Sequence, residues 1–176
     1  MTKIYFFDGD GTLWYPKKTK HTEKPYLIYE DPEYRPEKFS EYFELTPGAK
    51  ETLQHLRDTG AKLILVSTHH TNDETEATSD KVFKARALGI DGFFDQILSA
   101  PNRHEGKAEV ITQVLEAEGC APADALMVGD LYNWDYAPAQ SIGVPARLLR
   151  TPYQEDYARD HGVPESDLID SLEDLA

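Results

Sequence analysis

Short apolar runs alternate with helical patterns along most of this chain, and few architectures accept that order. The runs near residues 3–7, 63–66, 94–98, 125–128 and 145–149 read as buried strands. Between them lie four helical stretches. The first takes Thr46 as N-cap and Pro47 as its first residue, turns Leu53 and Leu56 to one face, and stops at Gly60. The second runs from Asp73 to Leu88, with Val82, Phe83 and Leu88 inward. The third carries Val110, Ile111, Val114 and Leu115, and the fourth spans 134–141. The pattern predicts an α/β fold: a three-layer, Rossmann-like, doubly wound parallel sheet of about five strands, joined by right-handed crossovers, with helices on both faces. In such a sheet ligands bind beyond the carboxyl ends of the strands.

What the chain places at those ends is chemically pointed. The first run, Tyr5-Phe6-Phe7-Asp8-Gly9-Asp10-Gly11-Thr12-Leu13-Trp14, delivers two acids spaced by glycines that permit close backbone approach. A calcium loop with Gly11 at its sixth position would put Phe6 first and Lys17 last, where carboxylates are required. A dinucleotide fingerprint would need a third glycine where Trp14 stands. The later strand ends add Ser67, the loop Arg103-His104-Glu105-Gly106 leading to Lys107, and Gly129-Asp130 with Asp135.

The length of 176 residues suits one domain spanning 1–176. Within it, residues 15–46, interrupted by Pro16, Pro25, Pro32 and Pro36, read as an extended flap, and 151–176 as a helical tail. The 32 acids against 18 bases give a net charge of −14, a surface that repels nucleic acid and anionic membrane. An anionic substrate then needs a bound cation or a local basic patch. The flap holds a cluster of that kind in Lys17, Lys18, Lys20 and Lys24, and Lys17 and Lys18 are candidates to steer substrate. Cys120 is alone, which excludes an internal disulfide. With no signal-peptide core and no apolar run of membrane length, a soluble cytoplasmic protein, monomer or homodimer, is expected.

The order of acid-x-acid at the first strand, hydroxyl at the second, lysine ahead of a helix, and Gly-Asp with a further acid at the fourth resembles the haloacid dehalogenase (HAD) superfamily. The matching residues are Asp8-Gly9-Asp10-Gly11-Thr12-Leu13, Val66-Ser67, Lys107, and Gly129-Asp130 through Asp135. Asp at the second acid position is what phosphatases and phosphomutases of that superfamily carry. Neither inter-motif interval leaves room for a helical cap domain, which is similar to the cap-less, magnesium-dependent phosphatases. Those carry two adjacent acids at the last motif, whereas here Asp135 stands apart from Asp130.

The resemblance implies a Mg²⁺-dependent phosphomonoesterase. Asp8 would be the nucleophile and form an aspartyl phosphate, with Asp10 as general acid and base. Asp8, Asp10 through its backbone carbonyl, Asp130 and Asp135 would surround the metal. Ser67 and Lys107 would hold the phosphoryl group. His69 and His70, and likewise Arg103 and His104, are candidates to contact substrate, while Tyr132 and Trp134 would wall the site. The substrate would be a phosphorylated small molecule or a phosphoprotein. The competing reading is a non-catalytic binding module on the same fold.

Overall fold

The computed structural model describes residues 3–69 and 73–175, so His70 lies outside the described residues. Its centre is β1 (Ile4–Phe7), flanked by β4 (Lys62–Thr68) on one side and β6 (Ala125–Gly129) on the other. Beyond β4 lies β5 (Gln96–Ala100); beyond β6 lie β7 (Ala146–Leu149) and β8 (Leu168–Ile169). All pairings in this six-stranded sheet are parallel. The chain moves outward from β1 through β4 to β5, then returns to β1's other flank and runs out through β6 to β8. The reversal falls at β1, so a crevice opens at the carboxyl ends of β1, β4 and β6.

Side chains of β1 alternate between two cores. Phe7 joins Leu63, Leu65 and Val128 beneath α2 (Ala49–Asp58) and α3 (Glu74–Ala87). Ile4 and Phe6 join Ile64, Val66 and Met127 beneath α4 (Gly106–Glu118) and α5 (Ala137–Ser141). Apolar residues on both faces of β1 and β4 are what a doubly covered sheet requires.

Several expectations need correcting. The sheet has six strands, because Leu168 and Ile169 pair with Leu148 and Leu149. Two residues are too few to set a period, which is why the tail reads as helical; it keeps a short α6 (Glu155–Asp160) and 3₁₀ turns at Glu165–Asp167 and Leu172–Leu175. Helix α2 begins at Ala49 instead of Pro47, since Gly48, at φ +76°, stands in the left-handed region that a right-handed helix cannot include. Helix α3 is capped by Asp73, whose carboxylate accepts the N–H groups of Thr75 and Glu76, but of the expected inward face only part holds: Leu88 packs against the core. Phe83 is 42 % exposed, whereas Ala77, Lys81, Lys84 and Ala85 are buried.

The flap is ordered around aromatic rings. Strands β2 (Trp14–Pro16) and β3 (Phe43–Leu45) pair antiparallel. Between them lie 3₁₀ turns at Pro25–Glu30 and Pro36–Lys38 and the single-turn α1 (Phe39–Tyr42). Phe39 stacks on Phe43 with centroids 4.4 Å apart and meets Trp14 edge-on, and Tyr29 stacks on Phe43. Trp14, Phe39 and Phe43 are fully buried, which ties the flap to the main core.

Candidate active site

Beyond the ends of β1, β4 and β6 lies a cavity of about 810 Å³. Asp8, Asp10, Ser67, His69, Lys107 and Asp135 all line it, with one wall supplied by Tyr26, Tyr29 and Tyr34 of the flap. The acids and the lysine expected from the strand ends therefore meet in one space, except Asp130, which is buried behind it.

Lys107, in the first turn of α4, is the hub. Its ammonium donates to Asp8 Oδ1 at 2.5 Å and also to Asp135 Oδ1. It is 2 % exposed. Burial pushes the ammonium down, but Asp135 and Asp8 more than offset that and hold its pKa above the usual lysine value. Asp8 itself is pushed up to about 6, chiefly by burial, with Lys107 opposing and Asp135 adding to the rise.

Asp135 owes its position to a local distortion. Residues Tyr132–Tyr136 form a π-helical turn, with the N–H of Tyr136 reaching back to the carbonyl of Leu131. This turn directs Asp135 Oδ2 onto the backbone N–H groups of Asp130 and Leu131. Gly129 makes the fit possible, because a Cβ there would collide with the Asp135 carboxylate.

Asp130 is completely buried. Thr12 donates to its Oδ1 at 3.1 Å and Tyr153 to its Oδ2 at 2.7 Å. Burial, reinforced by Asp135 and Asp8, drives its carboxyl well above the ordinary range. Carboxylate oxygens of Asp8, Asp130 and Asp135 lie within 4.8 Å of one another. An all-oxygen, anionic and dehydrated donor set fits a hard divalent cation such as Mg²⁺, whose charge would favour the ionised forms of Asp8 and Asp130. Gly11, at φ +85°, lets β1's turn approach Asp130; a Cβ there would strike that carboxylate.

Asp10 is fixed differently. The Trp14 indole N–H and the Tyr29 hydroxyl both donate to its Oδ1, at 2.6 and 2.7 Å. An indole can only donate, so Oδ1 stays an acceptor and a transferable proton belongs on Oδ2. Ser67 is buried at the end of β4.

The remaining candidates scatter. His69 lines the cavity, with Nε2 3.6 Å from Asp80 Oδ2. Lys17 and Lys18 are exposed and do not line it, and Lys17 donates to the carbonyl of Ser40. Arg103 pairs with Glu109 across two contacts, and His104 meets the Trp134 ring edge-on; neither lines the cavity, although Trp134 does. Tyr132 packs instead against Tyr136 and Tyr157. Sequence reasoning missed Tyr153, Tyr29, Lys81, Lys84 and Asp80. The acids on neighbouring elements were the only signal that donors such as Tyr29 and Tyr153 would be required.

Comparison with known proteins follows this geometry. A model of the haloacid dehalogenase-like hydrolases matches residues 15–143, a span that includes Ser67, Lys107, Asp130 and Asp135. The chain is 29 % identical over 152 residues to haloacid dehalogenase-like hydrolase domain-containing protein 3 of Mus musculus, covering 84 % of this chain and 55 % of that one. It is 29 % identical over 112 residues to a phosphoglycolate phosphatase of Caulobacter vibrioides, covering 62 % and 44 %. The chain thus spans about half the length of the curated relatives it matches. In fold it is similar to a haloacid dehalogenase-like family hydrolase from Streptococcus pneumoniae, at a TM-score of 0.69 and 21 % identity, with 99 % of this chain and 96 % of that one covered. With most of its length matched by the family model, the chain belongs to the haloacid dehalogenase-like hydrolases.

Proposed function

We propose that the protein is a Mg²⁺-dependent phosphomonoesterase working through an aspartyl phosphate on Asp8. The observation that carries this reading is the buried cluster itself: a lysine bridging Asp8 and Asp135, with Asp130 close enough to share one cation with them. The Caulobacter relative named as a phosphatase supports it.

Asp8 attacks phosphorus and the ester P–O bond breaks, the leaving oxygen taking the proton from Asp10 Oδ2. Water then attacks phosphorus, its proton returns to Asp10, and the bond to Asp8 breaks to release phosphate. Asp8 and Asp130, with the backbone carbonyl of Asp10, would hold the Mg²⁺, which when bound supplies charge neutralisation between carboxylates and phosphate. Asp135 also holds the Asp130 backbone and Lys107 through its two oxygens. Ser67 donates to a phosphoryl oxygen, and Lys107 keeps the acyl oxygen of Asp8 paired. His69 stands on the substrate-facing wall. The flap tyrosines that close one side of the cavity favour a small phosphorylated molecule over a phosphoprotein.

Release of phosphate from an aryl phosphate with Mg²⁺, with EDTA, and by the Asp8→Asn variant tests the reading. It expects turnover only in the first arm. Equal rates in all three would leave the non-catalytic reading standing.

A further inference from the structure

Lys81 and Lys84 face the same cavity as Asp8, and the reaction above uses neither. They are 2 % and 7 % exposed, and a lysine that deeply buried is rare unless paired. Their common acid is Asp80: Lys84 Nζ lies 2.9 Å from its Oδ2 and Lys81 Nζ 3.6 Å away, with His69 at the same oxygen. On this wall two ammonium groups share the one carboxylate of Asp80, and Glu30 and Glu76 line the same cavity. Neither lysine forms an ion pair with Asp8 or Asp10 among the described residues. Asp8 already has Lys107, and Asp10 Oδ1 already has Trp14 and Tyr29.

The lysines are also held in place. Lys84 Nζ sits 4.4 Å from the centroid of the Tyr29 ring and 5.6 Å from that of Phe39. Burial, and then the neighbouring Lys84, lower the pKa of Lys81, with Asp10, Asp80 and Asp8 opposing. In a chain of net charge −14, keeping two buried lysines beside a phosphate-sized cavity makes physical sense if an anion completes the balance.

We propose that Lys81 and Lys84 form a second anion subsite, so that the substrate is a small phosphomonoester bearing a further anionic group, a carboxylate or a second phosphate. The assignment rests on the phosphatase reading for what occupies Asp8, and it is tested separately from it. The full-length Asp8→Asn protein is titrated calorimetrically in Mg²⁺ with 2-phosphoglycolate against ethyl phosphate, and with fructose 1,6-bisphosphate against fructose 6-phosphate.

In at least one pair the two-anion ligand is expected to bind about tenfold more tightly, the scale of a hydrogen bond to a charged group. The pair with the larger ratio identifies the second anion as carboxylate or phosphate. Adding Lys81→Met or Lys84→Met should collapse that ratio, whereas Lys84→Arg should retain it. Equal affinities within both pairs, or a ratio that survives both Met changes, overturn the subsite. Should either Met variant fail to melt cooperatively, the parent protein's ratio and its fall in Lys84→Gln decide. Turnover of an aryl phosphate by the unmodified protein separates the two claims: a binding ratio without turnover removes the phosphatase reading alone, and turnover without a ratio removes the subsite alone.

Discussion

Trp14 and Tyr29 converge on one oxygen of Asp10, which leaves the other free to exchange a proton with the leaving group. Tyr29→Phe removes one of these donors. It should lower kcat by about tenfold, the scale of a hydrogen bond to a charged group, on alkyl phosphates, whose leaving oxygen needs a proton. The loss should be smaller on p-nitrophenyl phosphate; an equal loss on both would contradict the assignment. Tyr153 plays the matching part for Asp130. Tyr153→Phe should raise the Mg²⁺ concentration for half-maximal activity by about tenfold, as loss of a group that orients a metal ligand does. A Mg²⁺ titration of the rate checks it. Asp8, Ser67, Lys107 and Asp130 were legible in the sequence because each stands at a strand end or a helix start. Tyr29 and Tyr153 were not, since each reaches its acid from a segment with no fixed spacing to it.

Among the elements, α3 shows where periodicity misleads. Apolar spacing selects Val82, Phe83 and Leu88 for the core, yet Lys81 and Lys84 turn inward because the wall they cover is an acidic cavity. Phe83→Ala should therefore change stability by less than about 0.5 kcal/mol, as exposed substitutions do. Leu53→Ala, on the fully buried face of α2, should cost about 2–5 kcal/mol. Urea unfolding of both variants measures the contrast, and a large loss for Phe83 would restore the original orientation. The flap carries a related lesson: prolines announce irregular chain, but the ring contacts of Phe39, Phe43 and Trp14 that order it are invisible until the chain folds back.

Across the whole molecule, parallel pairing and a crevice beyond the carboxyl ends of the strands were readable from the alternation of elements, whereas strand order was not. The sixth strand was not, because its register is set by β7 and not by a pattern of its own. The gathered acids also couple stability to pH. Burial raises Asp8 to about 6 and Asp130 well above the ordinary range, so in metal-free protein their carboxyls hold protons that the unfolded chain releases above its ordinary value of 3.8. Stability from these groups is thus greatest at low pH and is lost as pH rises from about 3.8, the share of Asp8 being gone above about 6. In EDTA the melting temperature should fall by roughly 5 °C between pH 5 and 7.5. Mg²⁺ should reverse this by favouring the ionised acids, giving its largest stabilisation at the higher pH. Calorimetric scans with and without Mg²⁺ decide it, and a Mg²⁺ effect independent of pH would contradict the coupling.

The central claim, that Asp8 carries the phosphoryl group, is open to direct inspection. Rapid quenching during turnover, reduction with borohydride and peptide mass spectrometry should find homoserine at position 8, the product of an acyl phosphate. Turnover at the full rate with position 8 unmodified would contradict the account.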